Sequence, residues 1–219
     1  MFTGIIQAIG TVAAIEPRGE DVRLRLETGK LDLDDVRLGD SIAVDGVCLT
    51  AVQLPGDGFW ADVSGETLAC TTLEALGSGA RVNLEKALTP TTRMGGHLVS
   101  GHVDGVGEVV QRKTDGRSER FNIKAPDTLA RYIAAKGSIC VNGISLTVNA
   151  VHGAVMELNI VPHTLQETTM DQLQPGTRVN LEVDIIARYL ERLLLGEKAA
   201  QSDAGITRQL LADYGFVRE

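Results

Sequence analysis

The feature that most constrains this chain is an internal repeat with a constant offset. Residues 79–85 (Gly-Ala-Arg-Val-Asn-Leu-Glu) recur as residues 176–182 with six of seven positions identical, and 176 − 79 = 97. Residues 41–50 recur as residues 138–147 with the same offset, since 138 − 41 = 97. Because the offset does not change, the chain contains two copies of one small domain, and both copies are expected to fold alike.

Short segments within each copy predict β-strands. Residues 22–26 (Val-Arg-Leu-Arg-Leu) alternate apolar and basic side chains, a period of two that is typical of a strand with one buried face. The dipeptides Asp45-Gly46 and Asn142-Gly143 each separate two apolar runs, and two-residue hairpins prefer such dipeptides. Closing a sheet into a barrel hides its strand edges. We therefore predict an all-β chain with one barrel per copy.

The C-terminal part of the sequence departs from the repeat. After position 184 the apolar residues fall at helical spacing: Ile185, Ile186, Tyr189, Leu190, Leu193 and Leu194. We divide the chain into a first repeat at 1–97, a second repeat at 98–184, and a helix with its tail at 185–219. The apolar stripe of this helix can pack on the chain's own barrels or on another copy, and its periodicity does not decide between them.

Composition and charge exclude several classes of function. The 219 residues carry a net charge of −8, whereas a nucleic-acid surface needs clustered Lys and Arg. No stretch approaches the roughly 18 apolar residues that span a bilayer, and residues 1–6 lack the basic region of a secretion signal. The three cysteines are far apart and form no Cys-x-x-Cys pair, which predicts neither a disulfide nor a metal site. We expect a cytoplasmic protein.

Positions at which the two copies differ indicate where chemistry could be located. The polar mismatches pair Cys48 with Ser145, Ile5 with His102, Gly39 with Lys136, and Ala87 with Asp184. A thiol and a hydroxyl at equivalent places differ in reactivity, although a free cysteine is more often a small buried hydrophobe. An imidazole can move protons near neutral pH, although a lone histidine is more often structural. Threonines also occur in matched pairs, which could bind a polyol or a ring carbonyl or be ordinary strand residues.

Four segments of the sequence form a specific set of motifs. They are residues 1–6 (Met-Phe-Thr-Gly-Ile-Ile), 45–50 (Asp-Gly-Val-Cys-Leu-Thr), 95–103 (Gly-Gly-His-Leu-Val-Ser-Gly-His-Val) and 142–147 (Asn-Gly-Ile-Ser-Leu-Thr). Together they resemble riboflavin synthase of the α-chain type. The resemblance implies two tandem six-stranded antiparallel Greek-key barrels and a C-terminal α-helix through which three chains form a homotrimer. It implies a transferase that dismutates two molecules of 6,7-dimethyl-8-ribityllumazine by four-carbon transfer. The products would be riboflavin and 5-amino-6-(D-ribitylamino)uracil, and no metal or organic cofactor would be used.

The same resemblance implies one ligand site per barrel, completed across a boundary between chains. The first barrel would contribute Cys48, Leu49, Thr50, Asp62, Val63, Ser64, Gly65, Glu66 and Thr67. A neighbouring chain would add Gly101, His102, Val103 and Lys136. The second barrel would contribute Ser145, Leu146, Thr147, Asn159, Ile160, Val161, Pro162, His163 and Thr164. Its partner would add Gly4, Ile5 and Ile6.

The resemblance also implies roles for a catalytic set. Its members are Cys48, His102, Thr147, Ser145, Asp184 and Ser41. Cys48 would act at C7 of one ring as the nucleophile. His102 and Thr147 would carry protons, supported by Asp184 or Ser41. The resemblance also raises a further partner, a lumazine synthase capsid with which this chain would associate.

Two points remain open at the level of the sequence. The alternative to an enzyme is a protein of the same fold that binds lumazine or flavin without catalysis. The enzyme is favoured because its reactive residues are present: Cys48, His102, Ser145 and Lys136. Members of the family often carry Asn-Gly in the first copy and Asp-Gly in the second, and this chain has the reverse. If the aspartate of the second copy acts as a base in the family, Asn142 cannot do so.

Overall fold

The computed structural model describes residues 1–196 and Ala200. The strands of the first barrel are β1 (Ala8–Arg18), β2 (Asp21–Glu27), β3 (Ser41–Val44), β4 (Val47–Gln53), β5 (Gly58–Val63) and β6 (Arg81–Lys86). Those of the second are β7 (Gly105–Asp115), β8 (Ser118–Lys124), β9 (Ser138–Val141), β10 (Ile144–His152), β11 (Val155–Ile160) and β12 (Arg178–Val183). Helices are α1 (Gly65–Cys70), α2 (Pro162–Glu167) and α3 (Ile185–Leu194).

Both barrels have the same topology. The first closes in the order β1-β2-β5-β4-β3-β6. The second closes in the order β7-β8-β11-β10-β9-β12. Adding six to each strand number of the first barrel gives this same order. The connection from β2 to β3 passes over two neighbouring strands, as in a Greek key. Two closed six-stranded antiparallel barrels are therefore confirmed.

The apolar residues of the alternating strand β2 point into the barrel interior. Leu24 and Leu26 are fully buried, as the period of two predicts. Leu26 lies opposite Phe59 on β5, and the equivalent pair in the second barrel is Ile123 and Met156. The large side chain differs between the copies, but each pair combines one aliphatic residue with one larger one. Such exchanges preserve core volume and keep the same backbone well packed.

The two predicted hairpin turns form the contact between the barrels. Asp45 and Gly46 have φ values of 45° and 79°, and Asn142 and Gly143 have 46° and 81°, as a type I′ turn requires. A Cβ atom added to Gly46 would lie 2.7 Å from the backbone nitrogen of Gly143. The turns thus meet backbone to backbone, and this close approach requires glycine at both positions.

Two equivalent asparagines explain why the Val-Asn-Leu-Glu segment is repeated. Asn83 Nδ2 donates to the carbonyl of Asn142, and Asn180 Nδ2 donates to the carbonyl of Asp45, both at 2.9 Å. The side-chain oxygen of each asparagine accepts a backbone N–H from the other barrel at 2.8 Å. The barrels are therefore joined by buried reciprocal hydrogen bonds, in which every amide group has a partner.

Asp45 makes the stability of this junction depend on pH. Burial raises the pKa of its carboxyl from 3.8 to about 7, although a hydrogen bond from the Asn83 N–H opposes the rise. The folded chain therefore keeps a proton that the unfolded chain has released. The stabilisation is present below the unfolded value and is lost as pH rises through about 7.

Asp45→Asn should remove this dependence. Asn142 already makes the equivalent bond, its Oδ1 accepting the Asn180 N–H at 2.7 Å, so asparagine fits the turn. Near pH 9 we expect Asp45→Asn to be about 4 kcal/mol more stable than the native chain, with little difference near pH 4. Urea unfolding at both pH values measures this. Asn142→Asp is the matched control: it adds a second buried carboxyl, so the free energy of unfolding should fall more steeply as the pH rises. If the pH dependence of stability is unchanged in both variants, the assignment to Asp45 is wrong.

The chain divides into two units, Met1–Ile185 with both barrels and a second that begins at Ile186. The predicted C-terminal helix is confirmed over Ile185–Leu194. Its exposed large apolar residues include Ile186, Tyr189, Leu190, Leu193 and Leu194. Residues 197–199 and 201–219 of the predicted helix and tail lie outside the described part of the chain. Among the described helices, none has the length and apolar character needed to cross a membrane.

Candidate active site

The first residues of each copy, 3–6 and 100–103, cross to the other barrel and are called the crossing segments. Cys48 N donates to the carbonyl of Gly101, and Ser145 N donates to the carbonyl of Gly4, both at 2.8 Å. A Cβ atom at Gly4 would lie 2.6 Å from the Ser145 Cβ, and one at Gly101 would lie 2.6 Å from the Cys48 Cβ. The two mismatched reactive residues are thus each covered by a crossing segment.

Two buried glutamates hold the crossing segments in place. Glu85 accepts the N–H and the hydroxyl of Thr3 at 2.7 and 2.6 Å, and the N–H of Gly4 at 2.9 Å. Glu182 accepts the equivalent three bonds from Ser100 and Gly101 at 2.6, 2.7 and 2.9 Å. Burial raises the pKa of both carboxyls, and these hydrogen bonds oppose the rise. The repeated glutamate of the sequence therefore positions the site.

The outward-facing surface around Cys48 is called the first mouth, formed by Cys48, Thr50, Ser64, Thr67 and Val103. Strand β4 pairs with β5 at Ala51 and Ala61, so the chain leaving β5 runs beside Cys48. Cys48 is half-buried and Thr50 is exposed. Val103, on the crossing segment, packs against the first barrel.

The equivalent surface around Ser145 is called the second mouth, formed by Ser145, Thr147, Val161, Thr164 and Ile6. Ser145 is half-buried and Thr147 is exposed, matching the first mouth. Ile6, on its crossing segment, packs against the second barrel. Both crossing segments come from the same chain as the barrel they cover. The resemblance also implies that a neighbouring chain contributes to each site, and that contribution stays a prediction.

Three of the implied lining residues point into the barrels. Leu49, Val63 and Ile160 are 4%, 2% and 1% exposed and belong to the hydrophobic cores. Each alternates with an outward-facing neighbour, as strand geometry requires. Leu146 is half-buried and packs on the second core. The resemblance implies that Leu49, Val63 and Ile160 line the ligand sites, but their side chains pack in the hydrophobic cores and cannot line a ligand.

Several polar groups of the first mouth already have partners. Arg23 holds Asp62 with two bonds of 2.6 and 2.9 Å, which lowers the pKa of that carboxyl. Ser64 caps α1 by accepting the Thr67 N–H at 3.2 Å. Gly65 N donates to Asp21, and Glu66 is exposed on α1. These contacts give the rim a fixed shape, leaving Thr50 and Cys48 as the groups that face outward.

The rim of the second mouth is built differently. Val161 replaces the capping serine, and Pro162 begins α2 without a side-chain cap, as proline can at a first helical position. Asn159, His163 and Pro162 are exposed, and Thr164 is half-buried. The second rim is therefore less polar at its helix entry than the first, although the backbone is equivalent.

Lys136 occupies a backbone conformation that its counterpart fills with glycine. Its φ is 69°, and Gly39 has 94°. The N–H of Lys136 donates to Val148 on β10, and that of Gly39 donates to Ala51 on β4. A lysine in this left-handed region costs about 1 kcal/mol relative to a relaxed conformation. It lies just before Ser138, the partner of Thr147 in the sheet. Lys136 therefore lies beside the second mouth of its own chain, and its implied contribution to the first-barrel ligand of a neighbouring chain stays a prediction.

His97 is a site residue that the sequence analysis missed. Its Nδ1 lies 2.7 Å from Ser145 Oγ, and its Nε2 is buried with no hydrogen-bond partner among the described residues. Burial lowers the pKa of His97, and the charge of Asp184 opposes this. The signal that could have found it is Gly95-Gly96 directly before it. A Cβ at Gly96 would lie 2.2 Å from the Thr3 carbonyl and 2.8 Å from Ser145 Oγ.

Comparison with known proteins identifies the family of this chain. Residues 3–87 and 100–184 each match the lumazine binding domain, and these two ranges contain the two barrels. The riboflavin synthase of Photobacterium phosphoreum is 49% identical over 217 residues, covering 99% of this chain and 100% of that protein. This chain belongs to the riboflavin synthase family.

Two further relatives agree with this assignment. The riboflavin synthase of Bacillus subtilis (strain 168) is 38% identical over 216 residues, covering 99% of this chain and 100% of that protein. Among solved structures, LumP complexed with 6,7-dimethyl-8-(1'-D-ribityl) lumazine has a TM-score of 0.75 and 27% identity, covering 84% of this chain and 99% of that one. A riboflavin synthase fold with two lumazine-binding repeats is therefore confirmed.

The remaining residues implied for riboflavin synthase catalysis lie at different depths. Ser41 is half-buried opposite Thr50 and lines a cavity of about 170 Å³ with Ala87. Asp184, the counterpart of Ala87, is half-buried. His102 follows Gly101 and is exposed beside the first mouth. Cys140 is buried, and burial raises the pKa of its thiol well above the usual value, so this thiol is unsuited to nucleophilic chemistry. Cys70 is exposed on α1, and Cys48 is the half-buried thiol at the first mouth.

Proposed function

We propose that this chain catalyses the riboflavin synthase reaction by binding one 6,7-dimethyl-8-ribityllumazine at each of two unlike mouths. The observation that carries the proposal is the pair of equivalent mouths with different reactive groups. Cys48 and His102 face the first, and Ser145, His97 and Lys136 belong to the second. A dismutation needs two copies of one substrate in different roles, and two like-shaped sites with unlike groups suit that need.

Orientation supplies much of the expected acceleration. The four-carbon unit can move only if donor and acceptor rings are held together, and fixed orientation is worth at most ~7–11 kcal/mol. The mouths lie on closed barrels, and the buried bonds of Glu85 and Glu182 hold the crossing segments against them. Rigid mouths of this kind present each ring without reorganisation during the reaction.

The proposed roles follow from the groups at each mouth. Cys48 acts as the nucleophile at C7 of the first ring, and His102 beside it carries a proton. Thr147 is the outward hydroxyl of the second mouth and carries a proton there. The charge of Asp184 acts on His97 of the same mouth, and Ser41 supports the first mouth. Asp45 and Asn142 each bind a backbone N–H in a buried turn. Their reversal relative to the family therefore affects the junction, and Asn142 needs no catalytic role.

The assay that tests this function uses the pure protein and one substrate. Incubation with 6,7-dimethyl-8-ribityllumazine, a chelator and no added cofactor should produce the visible absorbance of riboflavin, because the chemistry needs only the substrate and protein groups. A protein that binds the lumazine with high affinity and forms no flavin would instead be the non-catalytic binding protein. A requirement for metal or nicotinamide would contradict the proposal.

We further propose that the complete site lies between chains of a homotrimer. In a single chain Thr50, Thr147 and His163 are exposed, so a planar ring bound at either mouth keeps one face uncovered. A mouth from a second chain could cover that face and supply the other substrate. The apolar residues of α3 support assembly through the helix. Association with a lumazine synthase capsid and a cytoplasmic location stay predictions.

Mixing two damaged variants tests the shared site. Cys48→Ser damages the first mouth and Ser145→Ala damages the second, so each variant alone should be strongly impaired. After verified subunit exchange, mixed trimers contain sites that pair an undamaged first mouth with an undamaged second mouth, and activity should recover. Cys48→Ser mixed with His102→Gln is the control, since both changes affect the first mouth and no recovery is expected. Equal activity of the two mixtures would contradict an intersubunit site.

A further inference from the structure

The contact between His97 and Ser145 has no counterpart at the first mouth among the described residues. Cys48, the counterpart of Ser145, has a free thiol to which no described side chain hydrogen-bonds. His97 therefore gives Ser145 an imidazole partner that Cys48 lacks. Ser145 Oγ has His97 Nδ1 at 2.7 Å and no second hydrogen-bond partner in the part of the chain that the structure describes.

The environment of the imidazole determines which nitrogen carries its proton. His97 Nε2 is buried and has no partner among the described residues. A buried N–H without an acceptor is rare and costly, whereas a buried lone pair without a donor is tolerated more often. The neutral ring therefore carries its proton on Nδ1, and burial favours the neutral ring. Nδ1–H then donates to Ser145 Oγ, and the serine oxygen is the acceptor.

This direction leaves the serine proton free for the ligand. A hydroxyl has one donor and two acceptor positions, and His97 occupies one of the acceptor positions. We infer that His97 is a positioning residue that turns Ser145 into a hydrogen-bond donor aimed at an acceptor atom, a carbonyl or ring nitrogen, of the pteridine bound at the second mouth. The identity of the ligand rests on the proposed function.

The inference separates the two mouths chemically. Cys48 offers a nucleophile, and Ser145 offers a fixed donor, because its partner imidazole donates to it and cannot also take its proton. A Ser–His pair in which histidine acts as the base requires the opposite proton position. His97 is thus assigned to substrate placement in one barrel, which gives the two identical substrates different surroundings.

Nitrogen NMR of the full-length protein with labelled histidine tests the proton position directly. The His97 signal, identified by its loss in His97→Asn, should show protonated Nδ1 and unprotonated Nε2 at neutral pH. A signal from the tautomer with protonated Nε2 overturns the inference. This readout does not depend on turnover, so it can fail while the chain makes riboflavin, and it can succeed even if no riboflavin forms.

Substitutions then separate a donor from a base. His97→Asn keeps a short N–H donor, so it should retain more of the lumazine affinity at the second mouth than His97→Ala does, without a shift in the pH profile of kcat/KM. His97→Ala should weaken that binding roughly fivefold to tenfold. In a Ser145→Ala background, His97→Ala should add no further loss, because both act through one hydroxyl. If His97→Asn loses activity as fully as His97→Ala and the pH profile shifts, His97 is a base and the inference is wrong.

Discussion

Replacing Cys48 with serine should lower kcat more than roughly tenfold while lumazine binding changes little. A thiol supplies some thiolate at neutral pH, and an unactivated serine supplies essentially no alkoxide. The fold should tolerate the change, because Ser145 occupies the equivalent place with the same backbone bond to its crossing segment. Steady-state kinetics and equilibrium binding of the lumazine measure the two quantities separately.

The matched control for this variant is Ser145→Cys in the Cys48→Ser background. It restores the number of thiols but places the new one at the second mouth, next to His97. Activity should not return, because that thiol faces the substrate in the other role. A Cys48→Ser chain with native kcat, or rescue by Ser145→Cys, would show that reactivity at the first mouth is not what the reaction needs.

Gly46→Ala should destabilise the chain by about 3 kcal/mol or more. The alanine would adopt a φ of 79° and place its Cβ 2.7 Å from the Gly143 nitrogen. Because that nitrogen is backbone, the clash is relieved only by separating the barrels. Separation would also stretch the Asn83 and Asn180 bonds across the junction. Urea unfolding of the variant and the native chain measures the difference.

Gly79→Ala is the matched control for the junction. Its φ of 87° is as unfavourable for alanine, but no neighbouring atom lies within 4 Å of the added Cβ. Gly79→Ala should therefore lose only the free energy that alanine needs to adopt a positive φ, about 1 kcal/mol. Activity should fall with Gly46→Ala and persist with Gly79→Ala, since the crossing segments at both mouths depend on the junction. Equal losses in both variants would contradict a close barrel contact.

Much of the fold could be predicted from the sequence because its signals are local. The constant offset of the repeat, the alternation in residues 22–26 and the two turn dipeptides each specify a backbone conformation without long-range information. The short helices α1 and α2 were not predicted, since each is a single segment of six residues that follows a strand and has too little periodicity to detect.

The candidate site could be predicted only in part. The mismatch of Cys48 and Ser145 located both mouths, because equivalent positions in a duplication lie in equivalent surroundings. The origin of the crossing segments depends on long-range bonds such as Glu85 to Gly4, which no local pattern encodes. His97 lies between the two matched domains, residues 3–87 and 100–184, so comparison of those copies could not reveal it. Leu49, Val63 and Ile160 could have been excluded by the period-two alternation that already described residues 22–26.

The central claim is that the chain transfers a four-carbon unit between two identical substrates held at unlike mouths. Its most direct test is to supply an equal mixture of unlabelled lumazine and lumazine labelled with heavy carbon in that unit. Mass spectrometry should find riboflavin with one labelled unit as abundant as the unlabelled and doubly labelled forms combined. Riboflavin found only in the unlabelled and doubly labelled forms, or no riboflavin at all, would contradict the account.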